Sequence, residues 1–458
     1  MELDIEIEKA VRKIVYGEKN ERLTEEEINE LIADVRESAN KKSYNFAKMN
    51  SLVINQHDKK RQVKQYADNR SIENVLSQCI KQIIDKTCKI KYPNRKMVMK
   101  SLFGVIKGIT SMIDFTIYKF DFKDFFNTIS TEYVYEKYLK SRILDRNELN
   151  LIKTYSAQTK YTYAGLKPSN SFAEIIGKAF DEGVLEKFFD RGLIYYERYV
   201  DDCIIVFNQN ISEVKLKSEL LQILNITFFD DKVSCSKQCK TKFNNRKSSY
   251  VSRRTLLTGN SKFDYLGYQF TFFPKGNETQ KKIEVQYGIS KAKQEKYQKR
   301  INGFVKSYKD IANPSRMDFN LLRLQVLGFT CREVYVDKKQ KNETWVEKGI
   351  ISNYSELRYL ESNKIDEETN SFLAKCVYRA FNENKVTVPS YARVGKYNLS
   401  ENLKRNRTFV LVEHIGYDYK SLSRLCEKIG IEKIDARGHK KNYEILVQEF
   451  LIKIKVGY

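Results

Sequence analysis

The chain has 458 residues, of which 41% are hydrophobic and 31% charged, a composition too apolar for disorder throughout and long enough for two or three cores. Its formal net charge of +23, from 82 Lys+Arg against 59 Asp+Glu, points to an extended polyanion as partner, against the competing reading of merely solvated basic faces. No run of about 18 apolar residues exists, and the opening MELDIEIEKA lacks a basic n-region and an apolar h-region, so the expectation is a soluble, cytoplasmic protein without a membrane partner.

The basic excess is local. Residues 1–40 hold 6 Lys/Arg and 12 Asp/Glu, a net of −6, which leaves +29 for everything downstream. The eight cysteines are scattered. The one close pair, Cys235 and Cys239, has no second pair or nearby histidine to finish a zinc site, so all eight are expected as reduced thiols.

In chain order, the first 40 residues read as acidic helix, and LTEEEINELIADV opens on a capping box in which Thr24 is followed three residues later by Glu27. SANKKSYNFAKMNS then reads as a polar linker. SIENVLSQCIKQIIDKTC and NRKMVMKSLFGVIKGITSMI carry apolar residues at helical spacing, with the basic turn KIKYPNRK between them. TIYKFDFK alternates as a strand does, and STEYVYEKYLKSRI returns to helix. The loop in TYAGLKPSNSF breaks into a long helix near Ser171. GLIYYERYV and CIIVFN are two strands with Asp201 and Asp202 at their turn. SEVKLKSELLQILN is another helix and KFDYLGYQFTFF a strand or hairpin. From about 285 onward the pattern is largely helical, and His414 and His439 there are expected as surface or core histidines. Five prolines, none inside these helices, suit an α+β domain with an antiparallel sheet backed by helices.

Two adjacent carboxylates between apolar strands ask for a cation. Phosphoryl transfer from a nucleotide uses two divalent ions about 3.5–4 Å apart, and Mg²⁺ prefers carboxylate oxygens while keeping few protein ligands. Asp201 and Asp202 supply part of such a cage, and a third carboxylate must come from a neighbouring strand. In YKFDFKDFFNTIS the candidate is Asp121, at the strand end; Asp124 competes but reads as a first-turn helix residue. Phe126, five residues after Asp121, has the spacing to stand under an incoming sugar and crowd a 2′-hydroxyl.

With these residues in place the chain resembles the reverse transcriptases of bacteria. RYVDD is similar to their motif C, DFKDFF to motif A, LNITFFDDKVS to motif D and FDYLGYQF to motif E, in order, over roughly residues 60–300. The resemblance implies a right-hand polymerase fold: an acidic helical extension over 1–44, fingers and palm over 45–270, thumb over 271–312 and a mainly helical C-terminal domain over 313–458. It implies that Asp121, Asp201 and Asp202 hold two Mg²⁺ ions, or Mn²⁺ in their place, and that Phe126 is a steric gate, with Phe122 beside the nucleotide. Lys232 matches the motif D lysine, a source of a proton or positive charge for departing pyrophosphate. Tyr199 would pack near the primer terminus, and Tyr265, Leu266, Gly267 and Tyr268 would form the primer grip. Motif B departs from the family: in GLKPSNSFAEIIG, Gly165 and Leu166 match, Pro168 is displaced by one, Ser169 stands where a glycine is usual and Ala173 replaces a serine. Gly165, Ser169 and Asn170 keep the template-facing role by this resemblance, and the departure opens untemplated or protein-primed synthesis as a second reading.

Elsewhere the residues support more than one use. Lys91, Arg95 and Lys96 are partners for nucleotide phosphates or simply a solvated basic turn. Residues 232–262 hold nine Lys/Arg, among them Arg253 and Arg254, and no acidic residue, with aromatics interleaved, which suits a groove tracking a nucleic-acid backbone. SKAKQEKYQKRINGFVKSYKD reads as a thumb helix facing a duplex. No retron-type stretch, Cys/His nuclease module or ribonuclease H region is found, and what remains resembles the abortive-infection-like bacterial enzymes of antiviral defence. That resemblance implies an RNA-directed DNA polymerase using dNTPs, an RNA template that is often a small noncoding RNA, a DNA product, and homo-oligomers. A nucleic-acid-binding scaffold that lost synthesis is the alternative from another class; three retained carboxylates argue against it.

Overall fold

The protein is described here by a computed structural model, covering residues 2–17, 23–56, 59–276, 282–339, 342–393, 395–435 and 438–455. It is a mixed α and β chain that divides into two compact units, Met1–Thr258 and Gly259–Tyr458. Among the described residues no helix is long and apolar enough to cross a membrane.

The first unit opens with α1 (Glu2–Val15) and α2 (Glu25–Lys41). The Thr24 side chain accepts from the Glu27 N–H, and the Glu27 carboxylate accepts from the Thr24 N–H, so the capping box forms as its spacing requires. Ile7, Ala10, Val11 and Val15 of α1 are buried and pack toward α3 (Ile72–Thr87). The stretch expected as a polar linker instead leads into a hairpin, β1 (Asn50–Gln56) and β2 (Lys59–Gln65), paired in register from Asn50↔Gln65 to Gln56↔Lys59. Leu52, Val53 and Ile54 are exposed on it, which is why no one-sided apolar pattern announced it. After α3 comes α4 (Arg95–Ile109), capped by Asn94.

A four-stranded sheet carries the site. It consists of β3 (Thr116–Asp121), β4 (Leu193–Tyr199), β5 (Asp202–Phe207) and β6 (Ser249–Ser252) in the order β4-β5-β3-β6, with every pair antiparallel. The central strand β3 is buried at all six positions, which places it inside the sheet. The helices Ser169–Phe188 and Glu213–Phe228 belong to the same core. Phe122, Phe125, Phe180, Phe228 and Phe243 gather their rings there at centroid distances between 4.8 and 6.5 Å, geometry that adds roughly 0.5–1.5 kcal/mol per pair beyond area burial.

The second unit holds β7 (Ser261–Tyr265), β8 (Tyr268–Lys275) and β9 (Lys282–Ile289) in one sheet, and β10 (Arg332–Lys339), β11 (Asn342–Lys348) and β12 (Thr408–Leu411) in another. After 285 the chain is largely helical, as expected, but it also carries the sheet of β10, β11 and β12, which was not foreseen. The alternation of Val334 and Val336 is a strand pattern, and β10 pairs with β11 as one hairpin, with Val334 opposite Glu347 and Val336 opposite Trp345. All eight cysteines are free thiols, six of them buried, in agreement with a packing role.

Candidate active site

Asp121 ends β3 directly opposite Asp202, the first residue of β5. Asp202 is also opposite Tyr199, the last residue of β4, so Asp201 stands in the tight turn between β4 and β5. Asp124, the competing residue, is exposed and precedes a four-residue helix, with φ +51° and its carboxylate accepting from Asn127. Val200 in the turn has φ +61°, a left-handed backbone that a β-branched residue adopts only when its surroundings enforce it. Two hydrogen bonds fix this turn. Arg198 Nη1 donates to the Val200 carbonyl at 3.0 Å, and the Phe122 N–H donates to the Asp201 carbonyl at 3.1 Å.

Sequence reasoning missed Arg198. It is buried between two carboxylates of the helix Ser169–Phe188, 2.9 Å from Glu174 and 2.9 Å from Asp181. Gly177 makes room for it, since a Cβ there would lie 2.5 Å from the Arg198 guanidinium carbon. The helix Ser169–Phe188 is thereby braced against the turn that carries the aspartates.

Burial, and then the charges of Asp202 and Asp121, push the Asp201 carboxyl up to about 6. Burial also raises Asp202, against the opposing pull of Lys119. Asp121 is fully buried. Its Oδ2 accepts from Asn244 Nδ2 at 3.2 Å and lies 2.7 Å from Lys247 Nζ, while its Oδ1 has no hydrogen-bond partner. Lys119 Nζ stands 3.6 Å from Asp202 Oδ1 and donates to the Lys247 carbonyl at 3.2 Å. Two lysines thus offset two of the three carboxylates, Asp202 and Asp121, and neither was distinguishable by sequence from the many other basic residues.

A buried carboxylate oxygen without a partner, beside two carboxyls held above their usual range, is a donor set that a hard divalent cation satisfies. Among the described residues no group of three or more His, Cys, Asp or Glu side chains is placed to hold a metal ion. Mg²⁺ does not require such a group, because it takes one or two carboxylates and fills its shell with water and substrate phosphate. The residues present fit such an ion.

The basic stretch 232–262 meets this site through residues 242–247. The Lys123 N–H donates to the Lys242 carbonyl at 2.8 Å and the Asn244 N–H to the Asp121 carbonyl at 2.7 Å. Lys123, Lys242, Asn244, Arg246 and Lys247 help line a cavity of about 640 Å³. Lys232 itself is exposed in the turn after the helix Glu213–Phe228, where its N–H donates to Asp230.

The other expected residues divide. Phe126 is half-buried and lines a second cavity of about 500 Å³ together with Gly165, Ser169 and Asn170. The expectation of Phe122 beside the nucleotide is corrected by its place: its ring is buried in the aromatic core and its N–H is taken by the Asp201 carbonyl. Gly165 has φ +102°, and a Cβ there would lie 2.4 Å from the Lys64 carbonyl oxygen, so the hairpin β1–β2 explains this glycine. The Ser169 hydroxyl is spent on the Tyr163 carbonyl at 2.6 Å. Tyr199 is half-buried at the end of β4. Lys91 is exposed before α4, and Arg95 and Lys96 open that helix. Arg253 Nη1 donates to the Met112 carbonyl at 3.2 Å, and the largely exposed Arg254 lies 3.8 Å from Asp114.

Tyr265, Leu266, Gly267 and Tyr268 belong to the second unit. Leu266 and Gly267, at φ +47° and +86°, make the two-residue turn joining β7 to β8, as a tight hairpin demands. The rings of Tyr265 and Tyr268 are buried within their own unit, and the Tyr268 hydroxyl bonds Glu356 and the Asn353 carbonyl. On the helix Lys291–Lys309 of the same unit, Lys296 is held below the usual lysine range by burial and by Lys293 and Arg300.

No protein-family model matches the chain, and no curated protein matches it. Among solved structures it is similar to the telomerase of Candida albicans in complex with a TWJ fragment of telomeric RNA, with a TM-score of 0.36 and 12% identity over 77% of this chain and 53% of that one. It is also similar to the telomerase of Candida tropicalis with a TWJ fragment, with a TM-score of 0.32 and 9% identity over 80% of this chain and 68% of that one. The chain thus spans about half the length of the Candida albicans telomerase chain.

Proposed function

We propose that this protein is a Mg²⁺-dependent nucleotidyltransferase of the reverse transcriptase class that adds dNTPs to a DNA end on an RNA template. The observation that carries the reading is the register of Asp121 with Asp202 across β3 and β5, with Asp201 in the adjoining turn. Asp121, Asp201 and Asp202 would hold the ions, which supply activation of the attacking hydroxyl and neutralisation of the triphosphate. Lys119 and Lys247 balance the buried carboxylates when no ion does so. Arg198 fixes the turn, and Phe126 sets the room beneath the sugar. The role in bacterial antiviral defence rests on the resemblance of motifs A, C, D and E to that group of enzymes, and the cytoplasm is the compartment proposed with it.

The test is incorporation of labelled dNTPs by the purified protein with Mg²⁺, beside the Asp201→Ala, Asp202→Ala variant. Incorporation by the wild type alone is expected; equal or absent incorporation by both would defeat the reading. Untemplated or protein-primed synthesis on the same carboxylates is the second reading, favoured by one observation: Ser169 and Gly165 in the divergent loop serve internal packing. Nuclease treatment of copurifying RNA separates the two, since only templated product then loses its sequence.

A further inference from the structure

Lys247 belongs to two places at once. Its ammonium lies 2.7 Å from Asp121 Oδ2, yet its side chain is 53% exposed and lines the cavity of about 640 Å³ beside the carboxylates. Lys123, Lys242 and Arg246 stand in the same wall, all three exposed. Unlike Lys247, their side chains have no ion-pair or hydrogen-bond partner among the described residues. No carboxylate lines the cavity, and Asn244 and Asn245 are its uncharged polar residues. Lys232, which the resemblance matches to departing pyrophosphate, is not in its wall.

Three uncompensated cations around one cavity repel one another and favour an anion that concentrates several charges in a small volume. A polyphosphate does so, whereas a nucleic-acid backbone brings one charge per nucleotide. Lys247 is within the same wall, but turning it to an anion leaves the buried Asp121 without a counter-charge, and an uncompensated buried charge is strongly unfavourable. A divalent cation on the carboxylates removes that cost and frees the lysine. We propose that this cavity binds a polyphosphate and that Lys247 exchanges Asp121 for it as the ion binds, so that anion and ion bind cooperatively. By linkage each then raises the affinity of the other by the same factor. The proposal rests on the metal site of the polymerase reading and adds to it a coupling carried by residues 242–247.

The full chain is titrated with inorganic pyrophosphate in EDTA by calorimetry, with dATP and a single-stranded RNA oligonucleotide titrated in parallel. Lys242→Gln and Arg246→Gln are each expected to weaken pyrophosphate and dATP binding about threefold to tenfold, and Lys232→Gln to leave both unchanged. A loss for dATP alone would assign the cavity to a nucleotide's tail, and a loss for pyrophosphate alone to the released product. A loss confined to RNA would overturn the polyphosphate assignment, as would losses equal to that of Lys232→Gln. Asp121→Asn should tighten pyrophosphate binding, and by several-fold more with Lys247 present than in Lys247→Met, which a double-mutant cycle reads directly. Equal tightening in both backgrounds would overturn the exchange. With Mn²⁺ followed by electron paramagnetic resonance and corrected for the anion's own complex, pyrophosphate should raise ion affinity more in the wild type than in Lys247→Met; an equal rise would overturn the coupling. Binding as expected without any dNTP incorporation would defeat the polymerase reading alone. Incorporation by the wild type, with pyrophosphate and dATP affinity unchanged in Lys242→Gln and Arg246→Gln, would defeat this inference alone.

Discussion

Lys247 places its ammonium 2.7 Å from Asp121, where it would stand in the way of the proposed ion. Burial would lower its pKa, but Asp121, Asp202 and Asp201 outweigh that and hold it above the ordinary lysine value, so it competes with a divalent cation as a full charge. Lys247→Met is therefore expected to tighten Mn²⁺ binding several-fold, read by the loss of free-Mn²⁺ signal in electron paramagnetic resonance; unchanged affinity would show that Lys247 is not a competitor. The Asp201 carboxyl, at about 6, gives a pH dependence. Because its folded value lies above the unfolded one, the metal-free protein binds more protons folded than unfolded between about pH 4 and 6, and its stability falls as pH rises through that window. Metal binding has the opposite sign, because the ion takes the deprotonated form: Mn²⁺ affinity should rise through about pH 6 and level above it. At Phe126, replacement by Ala should admit ribonucleotides, and unchanged discrimination in paired dNTP and NTP incorporation assays would reject the gate. Asp121 and the Asp201–Asp202 pair were legible in the sequence because strand alternation and a fixed spacing single them out. Lys247 and Asn244 were not, because only the pairing of β6 and residues 242–247 with β3 brings them to the carboxylates; Lys119, on β3 itself, reaches Asp202 through the pairing of β3 with β5.

Among elements, the helix Ser169–Phe188 and the β4–β5 turn act as one piece through Arg198. Gly177→Ala drives a methyl into the Arg198 guanidinium and should displace it from Glu174 and Asp181, two carboxylates it otherwise neutralises. Disruption of a buried pair by loss of one partner costs about 3–5 kcal/mol, so a downward shift of the first unit's urea transition of that order is expected. A loss of less than about 1 kcal/mol would mean that the helix yields at little cost. The helices and the β3, β4 and β5 strands were readable from period and caps. The β1–β2 hairpin was not, because it exposes Leu52, Val53 and Ile54 instead of burying one face. The β10–β11 hairpin was masked by the helical segments on either side, although its alternation is visible once isolated.

At the scale of the molecule, a net of +29 outside the first 40 residues falls on two compact units rather than on a tail. The crowding of Lys293, Lys296 and Arg300 on one helix is a cost that a bound polyanion removes. RNA affinity is accordingly expected to fall steeply with salt, by about a factor of 10³ or more between 50 and 200 mM if six or more phosphates are contacted; a shallow dependence would assign the basic residues to solvated faces. The boundary between units at Thr258 and Gly259 was not visible in the sequence, since Gly259 is an ordinary loop glycine within a continuous basic stretch.

The central claim is that carboxylates some eighty residues apart in the chain form one catalytic centre. Asp121→Asn preserves the shape of the side chain and leaves Asp201 and Asp202 in place, so single-turnover dNTP incorporation by this variant with Mg²⁺ is the most direct measurement. A loss of about 10³-fold or more is expected, with RNA affinity retained; incorporation within a few-fold of the wild type would contradict the claim.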